Sequence, residues 1–469
     1  MLFSSLTFLW IFLPIVLLGA FLLPKKAVNP FLVLASLFFY AWGEPIYILL
    51  MLFSIGINWG TGMLTERFAE KKKGILFANV ALNLALLVFF KYSGMLVSLF
   101  NSAASRWGIG LQLETPQVAL PIGISFFTFQ AISYVADVYR GETPAQKKLL
   151  NVALYISFFP QLIAGPILRY RDVNEQIEHR TVTFDGFAEG VRRFIYGLGK
   201  KILLSNVFAL SVDGLYAIPM DGRTGLMAWS AAVLYALQIY YDFSGYSDMA
   251  VGLGRMMGFR FCENFNYPYV SCSVQEFWRR WHISLSVWFK EYVYIPLGGN
   301  RKGKLRTYMN LVTVFFLTGA WHGAGLNFIF WGLWHGFFQI IERLGVNKLL
   351  KRIRPLAWLY TMLAVTFGWV FFRVENIAHA LAVCKRMVLP WLYVRSTYPI
   401  ESYVNLHTLA ALAAGVLGAG VIQWAGRRLR LTDKWKNSLF ETVFLAAVLL
   451  WCIASLASNT YNPFIYFKF

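Results

Sequence analysis

Charge is what this 469-residue sequence has least of. Asp, Glu, Lys and Arg make up 14% of the chain, against 58% hydrophobic residues and a mean hydropathy of +0.54. A soluble domain of this length carries more charge, so the composition points to a polytopic membrane protein. Acidic residues are the scarcer sign, 23 against 43 basic ones, for a net charge of +20. Nucleic acid is not the inferred partner, because the basic residues cluster in short loops between apolar runs, as cytoplasmic loops do. The four cysteines (262, 272, 384 and 452) show neither paired metal-ligand spacing nor a dense disulfide framework, and they read as structural thiols. Also missing are a serine nucleophile elbow, a His-x-x-x-His and a Cys-x-x-Cys, so no metal is expected. With no soluble domain, low-complexity tract or clear repeat, residues 1–469 read as one membrane domain. The first charge is Lys25, so a secretory leader with a basic start does not fit, and Met1–Leu23 reads as a first span that stays.

What is present is a series of apolar runs separated by basic loops. Lys25-Lys26 and Lys71-Lys72-Lys73 follow the first helix and a helical hairpin turning near Gly43-Glu44-Pro45. If both loops are cytoplasmic, the N-terminus lies outside. Gly74–Phe90 crosses next, and residues 101–120 read as an outer loop. Within 157–166, Pro160 and Pro166 each remove a backbone donor, so a kinked or broken helix is expected there. Arg169–Lys201 reads as a polar surface segment. Gly225–Met257 reads as a helix pair or kinked helix carrying Asp242 and Asp248, either buried and paired or marking a water-facing turn. Crossings at 356–372, 407–424 and 442–458 then place the C-terminus outside.

Two histidines draw attention. The chain has no Asp, Glu, Lys or Arg between Arg306 and Glu342, and His322 sits mid-run in Thr-Gly-Ala-Trp-His-Gly-Ala-Gly. An ionisable side chain at membrane depth is costly and normally lines a cavity or pathway. Imidazole also exchanges a proton near neutral pH. The alternative is a core histidine donating to a carbonyl. His282 lies in Trp278-Arg-Arg-Trp-His-Ile-Ser-Leu-Ser, where the uncharged interval between Arg280 and Lys290 is too short to span and reads as interfacial or re-entrant. His335 is thirteen residues beyond His322, which on one continuous helix would put it nearly on the opposite face, and it is assigned to packing or to an interface.

Trp278-Arg-Arg-Trp-His282-Ile-Ser-Leu-Ser, Tyr292-Val-Tyr-Ile-Pro-Leu-Gly-Gly-Asn-Arg301 and Thr318-Gly-Ala-Trp-His322-Gly resemble the membrane-bound O-acyltransferase (MBOAT) superfamily. Phe158-Phe-Pro-Gln-Leu-Ile-Ala-Gly-Pro-Ile and Tyr241-Asp-Phe-Ser-Gly-Tyr-Ser-Asp-Met-Ala are similar to its bacterial branch of alginate O-acetyltransferase and D-alanyl-lipoteichoic acid proteins. The alginate O-acetyltransferase-like subgroup fits best, through Pro121-Ile-Gly-Ile-Ser-Phe-Phe-Thr-Phe-Gln and Asp137-Val-Tyr-Arg-Gly-Glu.

The resemblance implies an all-α polytopic transmembrane bundle around a central funnel, with re-entrant and surface helices, in a bacterial cytoplasmic membrane. It implies His322 as the catalytic histidine and His282 as the second polar residue, with Trp321 in the same motif. It further implies transfer of an acyl group from a cytoplasmic thioester, acetyl-CoA, to an exported polysaccharide, completed by an extracytoplasmic acyltransferase. Arg279, Arg280, Arg301 and Lys302 could attract the donor's phosphates, or simply anchor the cytoplasmic face. The tail Asn462-Pro-Phe-Ile-Tyr-Phe-Lys-Phe469 reads either as an interfacial anchor or, by resemblance to a small partner peptide of the D-alanylation system, as an acyl carrier through Tyr466. The competing class is a transporter or flippase, suggested by broken helices and intramembrane polar groups.

Overall fold

In the computed structural model, residues 1–116, 118–350, 352–428, 435–458 and 461–465 are described, and among them the regular structure is entirely helical. Among the described residues, six helices are long and apolar enough to cross a membrane: 48–67, 69–106, 184–217, 354–373, 406–426 and 439–458. Two of these differ from the sequence reading. The helix after the Lys71–Lys73 cluster, expected to cross over 74–90, continues to Arg106, because it contains no proline and an isolated glycine, Gly94, weakens a helix without ending it. The segment expected on the surface at 169–201 instead turns into a long helix at Phe184. Its apolar face there outweighs its scattered charges.

The chain forms two compact units, described separately. The first comprises Met1–Gly190 and Leu253–Cys262. It contains α1 (Leu13–Leu22), α2 (Lys25–Ala41), α3 (Ile48–Arg67), α4 (Lys72–Arg106), α5 (Ile124–Arg140), α6 (Leu149–Ser157), α7 (Phe159–Leu162), α8 (Tyr170–His179) and the start of α9 (Phe184–Gly199). The break expected around Pro160 falls at Phe158, whose ψ of 114° separates α6 from α7. An apolar cluster of Phe3, Phe8, Phe12, Phe39 and Phe159 packs this end. Between α3 and α4, the amides of Asn58, Asn79 and Asn83 bond to one another, polar glue of the kind that joins helices inside a bilayer.

The second unit comprises Val191–Gly252 and Glu263–Phe469. After α9 a π-turn at Lys200–Ser205 leads into α10 (Asn206–Ala217), and α11 (Gly225–Met256) is a single 32-residue helix, not a pair. Then come α12 (Val274–Arg280), α13 (Ile283–Phe289), α14 (Lys304–His322), α15 (Leu326–Ile341), α16 (Asn347–Leu350), α17 (Arg354–Arg373), α18 (Ile377–Val388), α19 (Leu406–Val416), α20 (Ile422–Arg428) and α21 (Leu439–Ser458). Helix α18 buries Ala380, Val383 and Met387 and leaves Leu381 and Val388 exposed. Helices α14 and α15 form a hairpin whose backbones touch. A Cβ on Gly319 would lie 2.4 Å from the Phe328 carbonyl oxygen, and one on Gly332 would lie 2.2 Å from that of Phe315. No larger residue fits at either position without parting the helices. Exposed Leu439, Phe440, Val443, Leu450 and Trp451 give α21 an apolar outer face, as lipid contact requires.

Candidate active site

Helices α12 and α13 have seven residues each, too few to be stable alone, and capping holds α12 in place. Ser273 Oγ accepts the Glu276 N–H at 2.9 Å, and Glu276 Oε2 reaches back to the Cys272 N–H at 2.9 Å, close to a capping box. The remaining N-terminal amides, of Val274 and Gln275, donate to the buried carboxylate of Glu342 at 2.5 and 3.0 Å. A side chain from the far end of α15 thus completes the start of the Trp-Arg-Arg-Trp-His segment.

His282 is the hinge between α12 and α13. It is fully buried and left-handed, with φ 43° and ψ 55°, a conformation that costs a non-glycine residue about 1–3 kcal/mol and persists only where its surroundings enforce it. Asn264 enforces it. Its Oδ1 accepts from His282 Nδ1 at 3.1 Å and from the Ser284 N–H and hydroxyl at 3.2 and 2.9 Å. Its Nδ2 donates to Ser247 Oγ at 3.1 Å, and its carbonyl accepts the Ile283 N–H at 2.9 Å. Burial pushes the His282 imidazole down to about 3, so it is neutral. With Nδ1 donating to an amide oxygen, Nε2 is the basic nitrogen. Asn264 escaped the sequence reading because it lies 18 residues upstream of His282, and only the fold brings the two together.

His322 is the last residue of α14 and is 2% exposed. Its ring meets Trp321, Trp331 and Phe372 edge-on at centroid distances of 4.8, 5.0 and 5.2 Å. Trp321 also lies 5.9 Å from His282, so both imidazoles contact one indole. His322 and His335 are not on one continuous helix, because the chain leaves helix at Gly323 and returns as α15. His335 packs against Trp331, at 5.2 Å, and against Phe277 and Trp278. It is a core residue, as assigned.

A cavity of about 900 Å³ lies against α14, and its lining includes neither His322 nor His282. One wall is the face of α14 made by Leu311, Val314, Phe315 and Thr318. His322 follows Thr318 by four residues, one turn along that face. The opposite wall brings Trp278 and Ser286, and the rim carries Arg279, Lys290, Arg301, Lys302 and Arg343. The floor is thus apolar and the rim basic. Of Trp321, Arg279 and Arg280, predicted to bind substrate, Arg279 lines this cavity, whereas Trp321 does not and contacts both imidazoles. Arg280 is engaged elsewhere, with Glu276 at 2.9 Å and the Asn266 carbonyl at 3.1 Å, beside a smaller polar cavity shared with Arg279. Gln339 and Arg343 were not foreseen. Their signal is the four-residue spacing Trp331, His335, Gln339, Arg343, a stripe that runs along α15 from His322 to the basic rim.

Tyr466 lies outside the described residues. The residues before it do not form a lipid-facing anchor, since Phe464 and Ile465 are 5% and 8% exposed and packed within the second unit.

Known proteins resemble this chain over much of its length. The sequence model of the MBOAT, membrane-bound O-acyltransferase family, matches residues 146–378. The probable alginate O-acetylase AlgI of Pseudomonas putida is 40% identical over the whole of both chains. The peptidoglycan O-acetyltransferase of Helicobacter pylori is 38% identical over 83% of this chain and 80% of the relative. The teichoic acid D-alanyltransferase of Bacillus subtilis is 30% identical over 54% of this chain and 67% of the relative. Nothing in these matches supports the transporter alternative. With helices suited to repeated membrane crossing, an acyltransferase family match over 146–378 and a relative 40% identical over the whole of both chains, this multi-pass membrane protein belongs to the membrane-bound O-acyltransferase family and is an O-acyltransferase.

Proposed function

We propose that the protein takes an acetyl group from acetyl-CoA at the cytoplasmic face of a bacterial inner membrane and passes it outward for O-acetylation of an exported cell-surface polysaccharide. The observation that carries this reading is the 900 Å³ cavity, with a basic rim for the donor's phosphates and an α14 wall that reaches His322 one turn further in. The thioester arm lies along the apolar floor with its carbonyl carbon toward His322. The basic nitrogen of His322 takes the proton from an acceptor hydroxyl as its oxygen attacks that carbon. The C–S bond breaks, the proton passes to the departing thiolate, and the acyl oxygen ester leaves on the acceptor. His282, fixed by Asn264, positions the reactants across Trp321. The first acceptor in this reading is the Tyr466 hydroxyl, a weak nucleophile that needs such a base. Its aryl ester is then a competent donor to an extracytoplasmic acyltransferase, and both chain termini lie on that side. Support for the tail comes from residues 461–465, which enter the bundle of the second unit. The alginate and peptidoglycan relatives support acetyl as the group and a polysaccharide as the destination.

The test is acetyl transfer from labelled acetyl-CoA to polymer in membranes carrying His322→Ala, His322→Gln or Tyr466→Phe. Loss of transfer at normal protein level is expected for all three. Wild-type transfer by a well-inserted His322 variant overturns the base assignment. Full transfer by Tyr466→Phe overturns the carrier.

A further inference from the structure

Lys201 and Asp242 are an ion pair buried at depth in two long apolar helices. Their side chains are 2% and 1% exposed, with Nζ and Oδ1 2.5 Å apart. Taking such a pair out of water costs more than its attraction returns, unless the remaining donors and lone pairs are also satisfied. Here they are satisfied by the C-terminal segment. Lys201 Nζ donates to the Pro463 carbonyl, and Asp242 Oδ2 accepts the Ile465 N–H at 2.8 Å. Between these contacts, the Phe464 ring stacks on Tyr246 at 4.9 Å and 28°, with the Lys201 ammonium 5.7 Å from its centroid. Ser205 adds a 3.3 Å bond to Asp242. Upstream, Asn206 Nδ2 donates to Asn462 Oδ1 at 3.2 Å, and the Tyr461 hydroxyl donates to Asp213 at 2.6 Å.

The same two turns of α11 serve the active site. Asp242 and Tyr246, four residues apart, meet the C-terminal segment. Their immediate neighbours Phe243 and Ser247 meet the His282 site. The Phe243 ring lies 4.6 Å from the imidazole, and Ser247 bonds Asn264. Consecutive residues of a helix are turned by about 100°, so the segment sits one helix face round from His282. The motif Tyr241-Asp-Phe-Ser-Gly-Tyr-Ser-Asp is thus a two-sided fitting.

We propose that Lys201 and Asp242 are positioning residues, a seat that fixes the C-terminal segment beside the His282 site, and that onward acyl transfer requires the segment to be seated. The second clause rests on the reading that this segment receives the acyl group. The first does not.

The test separates seating from stability. A buried ion pair replaced by apolar side chains of similar size is often neutral or stabilising, so Lys201→Met with Asp242→Leu should insert and melt like the wild type. An Ile465→Cys reporter, in a background with exposed Cys262 changed to Ser, reports the seat through its rate of maleimide modification in detergent. Buried Cys452 reports global unfolding. The double variant is expected to label at position 465 at least tenfold faster, to leave Cys452 protected, and to lose polymer acylation. Phe464→Ala, a change on the segment itself that leaves the bundle intact, should shift labelling and acylation in the same direction, and it decides the matter if the double variant does not accumulate. Unchanged protection at 465 overturns the seat. Faster labelling with full acylation overturns the requirement for it. A silent Tyr466→Phe variant would remove the carrier reading and leave the labelling result standing.

Discussion

Asn264 offers the sharpest check on how the site is built. Its single side-chain oxygen gathers three donors from His282 and Ser284 and holds His282 in a left-handed conformation. In Asn264→Ala all three bonds are lost. Each is worth about 1 kcal/mol net, and the backbone strain at His282 then relaxes toward an ordinary conformation. If two to three of those bonds fix the imidazole in its working position, about 2–3 kcal/mol of positioning is lost. At 1.36 kcal/mol per decade, that is a fall of roughly 30- to 160-fold in kcat/KM for acyl transfer. Asn264→Asp keeps an acceptor for the same donors and should fall less than the alanine variant. The measurement is initial-rate transfer from a labelled thioester in membranes matched for protein level, with both variants side by side. Wild-type kinetics in Asn264→Ala would refute the argument, and so would an aspartate variant worse than the alanine one.

Other expectations follow from the same contacts. Glu342→Ala strips two amides of α12 of their acceptor and should cost about 2–4 kcal/mol, seen as a lower melting temperature in detergent together with lost transfer. Gly332→Ala places a Cβ 2.2 Å from the Phe315 carbonyl and should part the α14–α15 hairpin, giving a lower yield of folded protein, whereas alanine at Gly56, which meets nothing within 4 Å, should be silent. Arg301→Ala with Lys302→Ala should raise KM for the thioester at low salt with little change in kcat. The difference should shrink as ionic strength rises, because exposed charges are screened.

Much of the architecture was legible in one dimension because a bilayer imposes a strong constraint. Uncharged runs of about 20 residues must be helices, and basic loops must separate them. Both histidines of the site were legible for the same reason, since an imidazole within an apolar run stands out against its surroundings. Helix ends were less legible. Gly94 did not end α4, which runs on to Arg106, and the polar start of α9 hid the membrane-length helix that begins at Phe184.

What the tertiary structure alone decided is which distant residues meet. Asn264 holds His282, Glu342 caps α12, and Trp331 contacts both His322 and His335. Asp242 was read as either paired or water-facing, and only packing shows it paired with Lys201 and bonded to Ile465, 223 residues away. The physical reason is the same in each case. Apolar periodicity and charge are local properties that a chain carries along its length. The partner that satisfies a buried amide, carboxylate or imidazole is chosen by which helix faces come together, and that is settled when the bundle packs.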